Sequence, residues 1–150
     1  MTVSPETRPL VFATLTDAVA ALRQRGLRLS TPRRLVLEAL FAADRPVSAE
    51  QISERLKLDP TSVYRNLETL ERHGLVRHVH LGHGPGLYAL LLHGEDEYLF
   101  CERCGAVSAV PAEALDAVRE RVRERFGYEV HFAHFAIVGT CRTCSQEHQP

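Results

Sequence analysis

The four cysteines stand in two pairs, Cys101-Glu102-Arg103-Cys104 and Cys141-Arg142-Thr143-Cys144, with none left over. A Cys-x-x-Cys turn directs two thiolates at one edge of a metal ion. Two such turns complete a tetrahedron, a geometry that zinc accepts without strain. Gly105 follows the first pair, where the turn must be tight. Four thiolates leave no position for an activated water, so a zinc held by Cys101, Cys104, Cys141 and Cys144 is a structural staple and not a catalytic centre. Two chemistries compete with this reading. A pair of disulfides is disfavoured in a reducing cytosol, and a thioredoxin-like redox site lacks its strand, loop and helix setting here.

Six of the eight histidines gather in the same part of the chain: His78, His80 and His83, then His93, then His131 and His134. His78 and His80 are two apart, so a strand presents both on one face, as a chelate requires. His131 and His134 are three apart; a regular strand sends them to opposite faces, so one of the two joins His78 and His80. Imidazole nitrogen suits nickel, zinc, copper or cobalt, and affinity order alone does not name the metal. The competing reading makes His78, His80 and His83 polar hairpin residues or phosphate contacts, and His134 a hydrogen-bonded core residue. Glu95, Asp96 and Glu97 read as a solvated acidic edge, from which one carboxylate could complete a coordination sphere.

These residues need elements to hold them. A chain of 150 residues makes one domain or two small ones. Its 45% hydrophobic and 25% charged composition excludes disorder and fibrous repeats. No run approaches the roughly 18 apolar residues of a bilayer span, and the first ten residues carry no basic and apolar leader, so a cytoplasmic protein without membrane contact is expected. The net charge of -1 hides an asymmetry: residues 1–84 carry 12 Lys and Arg against 9 Asp and Glu, a surplus of +3, while the remainder is at -4. A basic first half is compatible with nucleic acid, though too weakly to decide it.

Residues 1–13, with two prolines and no periodicity, read as a short mobile arm. Leu15, Val19 and Leu22 mark a first helix ending at Gly26. Thr31 is a candidate N-cap with Pro32 at the first helical position of a second, whose buried face is Leu35, Leu37, Leu40 and Phe41. Ser48 and Gln51 form a capping box for a third, which breaks at Asp59-Pro60. A fourth runs from about Thr61 to His73, with Val63, Leu67 and Leu70 inward and Ser62, Tyr64, Arg65, Asn66 and Glu68 on other faces. The period then changes towards two around Gly82-His83-Gly84-Pro85-Gly86, which marks a β-hairpin. Helices closed by such a hairpin give the winged helix-turn-helix plan, in which one helix enters the DNA major groove.

In the second half a strand near Tyr98–Phe100, a helix over about Ala112–Arg125 with Leu115, Val118 and Val122 on one side, and a strand over Tyr128–Val138 make a small α/β module. The expected class is thus α+β: an arm at 1–13, a winged-helix domain at 14–92, a hinge at 93–97, and an α/β domain with the four-cysteine zinc site at 98–150.

With these elements in place the chain resembles the ferric uptake regulator (Fur) family of metal-responsive repressors over about Leu15 to Cys144. The marks are Gly26-Leu27-Arg28-Leu29-Ser30-Thr31-Pro32-Arg33-Arg34, Ser48-Ala49-Glu50, Ser62-Val63-Tyr64-Arg65-Asn66-Leu67, Gly74-Leu75-Val76 and Cys101-Glu102-Arg103-Cys104-Gly105. The resemblance implies a homodimer that binds a double-stranded DNA operator through the N-terminal winged helix and dimerises through the C-terminal module, with metal setting the angle between them. It implies that Ser62, Tyr64, Arg65 and Asn66 lie on the recognition helix, that Arg28 reaches the minor groove, and that Arg33 and Arg34 meet phosphates. The side-chain chemistry agrees, since an arginine fork matches guanine O6 and N7 and an aromatic edge suits a thymine methyl.

The chain also departs from the family. Glu95, Asp96, Glu97 and Tyr98 stand where a histidine-rich run is usual, Pro46 replaces a frequent histidine, and Ala89 and Ala109 occupy positions where carboxylate ligands are often found. Simple iron sensing is not what this pattern favours. The stretch His78-Val79-His80-Leu81-Gly82-His83-Gly84, with His134-Phe135-Ala136-Ile137-Val138-Gly139, is similar to the nickel-responsive branch. That resemblance selects His134 over His131 and implies a regulatory nickel site of His78, His80 and His134 between wing and dimerisation module, with His83, His93, Glu95, Asp96 and His131 as further candidates. Zinc, iron or manganese are the alternative regulatory metals, and zinc or peroxide sensing the alternative functions. From other classes, a thiol oxidoreductase at Cys101 and Cys104 and a zinc-stapled protein-interaction module are the rivals. No enzymatic activity is expected.

Overall fold

The computed structural model describes residues 10–92 and 96–147. The chain divides into two compact units, Met1–Val79 with Gly86–Gly94, and His80–Pro85 with Glu95–Pro150.

The first unit begins with Leu10, whose N–H donates to the Gly74 carbonyl at 3.0 Å, and with Phe12, buried edge-on against Phe41 at 5.9 Å between ring centroids. The expected arm therefore does not extend to residues 10–13, because Phe12 belongs to the core; residues 1–9 lie outside the described residues. Helix α1 (Leu15–Gln24) is capped by Thr14 and Asp17 in reciprocal hydrogen bonds of 3.1 and 3.2 Å. Helix α2 (Thr31–Ala42) starts one residue earlier than expected, since Ser30 and not Thr31 is the N-cap. Its most deeply buried residues are Val36, Leu37 and Leu40, with Leu35 and Phe41 half-buried. Strand β1 (Val47–Ser48) leads into α3 (Ala49–Leu56), where Ser48 and Gln51 make the capping box. Asp59 caps α4 (Pro60–Arg72) through Ser62 N–H at 3.1 Å.

Val63, Leu67 and Leu70 of α4 are fully enclosed. Burial of each such side chain is worth about 1.5 to 3 kcal/mol. The buried stripe has the spacing i, i+3, i+4, i+7, i+8. Counting from Val63, it also takes in Asn66 and Glu71, which are 7% and 8% exposed. Asn66 therefore does not lie on the polar face where it was expected. Strands β2 (Val76–His80) and β3 (Gly86–Leu90) form the hairpin and complete a sheet in the order β1-β3-β2, with Val47 opposite Tyr88.

The second unit is a sheet in the order β5-β4-β6. It comprises β4 (Asp96–Cys101), antiparallel β5 (Val107–Pro111), and β6 (Ile137–Gly139), which lies parallel to β4. A 3-10 turn at Ala112–Leu115 precedes α5 (Asp116–Phe126), and α6 (Arg142–Gln146) follows β6. The strand expected over Tyr128–Val138 is shorter; before β6, among the described residues, it is paired through a parallel bridge between His80 and Phe135. Helix α5 buries none of its residues, so Leu115 turns inward while Val118, expected beside it, is 44% exposed. Glu97 is 5% exposed and not part of a solvated edge. It pairs with Arg119, which also binds the Ala112 carbonyl at 2.8 Å and Asp116 at 2.9 Å. Among the described residues no helix is long and apolar enough to cross a membrane.

Candidate metal centres and nucleic-acid interface

The cysteine pairs converge from the two ends of the second unit. Cys101 ends β4 and its N–H donates to the Ala106 carbonyl at 2.9 Å, while Gly105 N–H returns to the Cys101 carbonyl at 2.9 Å. That tight turn places Gly105 at φ +76°, a region that favours glycine. Cys141 is the N-cap of α6, and its N–H reaches Cys101 Sγ at 3.3 Å. Arg103 locks the second turn by donating to the Cys144 carbonyl at 3.1 Å.

The sulfurs of Cys101, Cys104, Cys141 and Cys144 all lie within 4.8 Å of one another, and none is in a disulfide. Cys104 and Cys141 are 3.8 Å apart. That matches a tetrahedral edge, since Zn–S bonds of about 2.3 Å put ligand sulfurs about 3.8 Å apart. The thiols also compete for ionisation. Hydrogen bonds from the backbone N–H groups of Cys141 and Cys104 draw Cys101 down to about 6, whereas contact with the Cys141 thiol and burial push Cys144 up to about 12. A cage of four sulfurs ionises fully only around a cation, and a divalent soft ion is the group it fits.

The histidines form a second cluster. His78 and His80 lie on β2, and ring nitrogens of His78, His80 and His134 all fall within 4.8 Å of one another. A pair of backbone hydrogen bonds sets the register of His134: His80 N–H donates to its carbonyl at 2.9 Å, and Ala136 N–H donates to the His80 carbonyl at 3.0 Å. The His80 and His134 rings meet edge to face at 4.9 Å, and Phe135 stacks on His80 at 5.5 Å.

The other candidates fall elsewhere. His83 is exposed in the hairpin turn, beside Gly82, whose φ is +67° and where an added Cβ would come within 2.9 Å of the Phe100 ring. His131 is exposed, in a shallow depression with Asp116, Arg119 and Glu129. Asp96 pairs with Pro111 at the start of β4 and does not join the cluster. His93 and Glu95 lie outside the described residues, as does most of the expected hinge.

Sequence reasoning missed Glu71. Its carboxylate accepts the His78 backbone N–H at 3.1 Å and lies 2.9 to 3.0 Å from the His78 ring Nδ1. The available signal was an acidic residue on the apolar stripe of α4, where a buried carboxylate must have a partner.

On α4, Tyr64 is 38% exposed and donates its hydroxyl to Glu50 of α3 at 2.5 Å. This bond lowers the pKa of Glu50 and raises that of Tyr64. Arg65 is exposed, and Ser62 is half-buried, its carbonyl taking the Asn66 amide at 2.9 Å. Arg28 is exposed, Arg33 donates to the Arg28 carbonyl, and Arg34 pairs with Glu38 at 3.1 Å.

Residues 24–138 match the model of the ferric uptake regulator family. A ferric uptake regulation protein of Neisseria meningitidis is 24% identical over 132 residues, covering 84% of this chain and 92% of the relative. The fold is similar to that of the Helicobacter pylori ferric uptake regulator, with a TM-score of 0.68 at 17% identity, covering 91% and 97% of the two chains. A zinc uptake regulator solved with zinc and DNA has a TM-score of 0.61 at 26% identity, covering 89% and 93%.

Proposed function

The chain belongs to the ferric uptake regulator family of metal-responsive transcription regulators, and from that membership we propose that it is a nickel-responsive repressor whose regulatory ligands are His78, His80 and His134. The observation that carries this reading is the convergence of three ring nitrogens within 4.8 Å. The donor set is all imidazole, which suits nickel, zinc, copper or cobalt better than the oxygen-seeking manganese. Pro46, Ala89 and Ala109 supply no ligand. The pattern of His78, His80 and His134 is similar to that of the nickel-responsive branch, and this selects nickel among the nitrogen-seeking metals. A second reading takes zinc at the same residues, favoured by the likeness to the zinc uptake regulator.

Cys101, Cys104, Cys141 and Cys144 would hold a structural zinc, which supplies cohesion and no reaction. DNA would be met by the exposed Tyr64 and Arg65 of α4, with Arg28, Arg33 and Arg34 nearer the phosphates. The second copy of the chain in a homodimer would cover the groove along α5 lined by Val118, Val122 and Phe126, because these apolar side chains are left uncovered. Metal would change operator affinity only through differential binding to the DNA-competent conformation, typically about 1 to 3 kcal/mol of coupling.

The test uses duplexes enriched from a random pool by the zinc-loaded protein. Their affinity is measured at fixed salt with added nickel, zinc, manganese or iron(II), for the wild type and for His134→Ala. Tightening by nickel alone in the wild type, lost in His134→Ala with the structural zinc retained, is the expected result. Tightening by zinc alone selects the second reading. An unchanged nickel response in His134→Ala refutes the site.

A further inference from the structure

We infer that Glu71 is a positioning residue for the regulatory metal site and the direct link from that site to helix α4. The inference rests on the reading of His78, His80 and His134 as one metal site.

Glu71 lies in the last turn of α4, one residue beyond the fully enclosed Leu70, and its side chain is 9% exposed. A carboxylate at that depth needs donors. Among the described residues its hydrogen-bond partners are two groups of one residue on another element: the His78 backbone N–H, and the His78 ring Nδ1 at 2.9 Å. An ionised carboxylate only accepts hydrogen bonds, so Nδ1 carries the proton and Nε2 carries the lone pair. The nitrogen able to bind metal is thereby chosen before any metal arrives. The Nδ1–H bond also fixes the ring plane and raises the basicity of Nε2, as outer carboxylates do for ligating histidines in general.

The backbone bond adds a mechanical consequence. Because Glu71 holds His78 by main chain and side chain at once, a displacement of the His78 ring is transmitted to the C-terminal turn of α4. The same helix carries Tyr64 and Arg65. Beside these hydrogen bonds lie the enclosed Leu70, which precedes Glu71, and Tyr88, 6.0 Å from the His78 ring between centroids. The hydrogen bonds from His78 to Glu71 are a directional connection between metal ligand and helix. Glu71 would not touch the metal; it acts through His78.

The test compares the zinc-loaded full chain with Glu71→Gln, Glu71→Asp and His134→Ala. Nickel(II) affinity is measured by chelator competition, the cobalt(II) ligand-field spectrum is recorded, and duplex affinity is measured with and without nickel. Glu71→Gln keeps the shape and loses the charge. It should weaken nickel binding about 10- to 100-fold, change the cobalt spectrum, and bring the ratio of duplex affinities with and without nickel towards one. Glu71→Asp keeps the charge and should recover part of the loss.

A purely structural role would lower the melting temperature and leave nickel affinity and the ratio unchanged; that result overturns the inference while the metal-site reading stands, provided His134→Ala still abolishes the response. Nickel binding indifferent to His134→Ala overturns both. Should the Glu71 variants fail to fold, long-range 15N spectra of the metal-free wild type decide. A His78 ring protonated at Nδ1 is expected, and one protonated at Nε2 overturns the inference.

Discussion

His80 and His134 face each other because their backbones are bridged: His80 donates to the His134 carbonyl at 2.9 Å and accepts from Ala136 at 3.0 Å. The rings meet at 4.9 Å as a consequence of that register and not of any contact between the rings themselves. A slip of one residue along either segment would send one ring to the opposite face. The chelate is thus built by main-chain pairing, which is rigid, before side-chain rotamers are chosen.

The second unit lacks a core comparable with the first. Its buried apolar residues are few, Leu115 and Ala136 among them, and α5 contributes none. We expect Cys144→Ser, or stripping of zinc by a strong chelator, to unfold the segment from β6 to α6, since structural zinc contributes on the order of 10 kcal/mol in small domains. Zinc content and far-ultraviolet circular dichroism report both effects, and a folded, zinc-free second unit would refute the assignment.

Arg65 is exposed on α4 and makes no ion pair among the described residues, whereas Arg34 is paired with Glu38. Arg65→Ala should cost about 1 to 3 kcal/mol in duplex affinity and relax base preference at one position. Arg34→Ala should have a small effect, uniform across sequences. Binding measured against a panel of single-base variants separates the two behaviours.

The Tyr64 to Glu50 bond makes a pH prediction. It lowers the Glu50 carboxyl below its usual 4.5 and raises the Tyr64 hydroxyl above its usual 10.0. The lowered acid contributes stability that is present above 4.5 and lost as pH falls through its folded value. The raised phenol contributes stability that is present below 10.0 and lost as pH rises through its own. In Tyr64→Phe the Glu50 midpoint should move back up, which 13C titration of the carboxyl measures; an unmoved midpoint would mean that the bond does not persist in solution.

Arg119 and Arg123 lie one turn apart on α5 and both pair with acids, yet they should differ sharply on substitution. Arg119 meets the buried Glu97, while Arg123 meets the exposed Glu120. Arg119→Ala leaves a buried carboxylate unpaired and should cost about 3 to 5 kcal/mol. Arg123→Ala should cost less than about 1 kcal/mol. Denaturant midpoints give the comparison, and equal effects would contradict the burial of Glu97.

Much of the first unit was legible in the sequence because its signals are local. The Ser48 and Gln51 capping box, the break at Asp59-Pro60, and the stripe of Val63, Leu67 and Leu70 each follow from spacing within one element. The paired Cys-x-x-Cys turns were legible for the same reason. What escaped depends on contacts distant in sequence. Asn66 and Glu71 occupy apolar-stripe positions, and Glu71 meets its partner His78 across the turn. Glu97 sits in an acidic run that looks solvated until Arg119, on a helix 22 positions later, closes on it. The segment before β6 has strand-like composition and makes only one bridge, because its partner is the single residue His80.

The most direct test of the central claim is the nickel K-edge absorption spectrum of protein whose four cysteines already hold zinc, loaded with one equivalent of nickel. The account predicts a first shell of nitrogen and oxygen with the multiple-scattering pattern of imidazoles, no sulfur, and a weaker imidazole pattern in His80→Ala. A shell containing sulfur, or an imidazole pattern unchanged in His80→Ala, would contradict it.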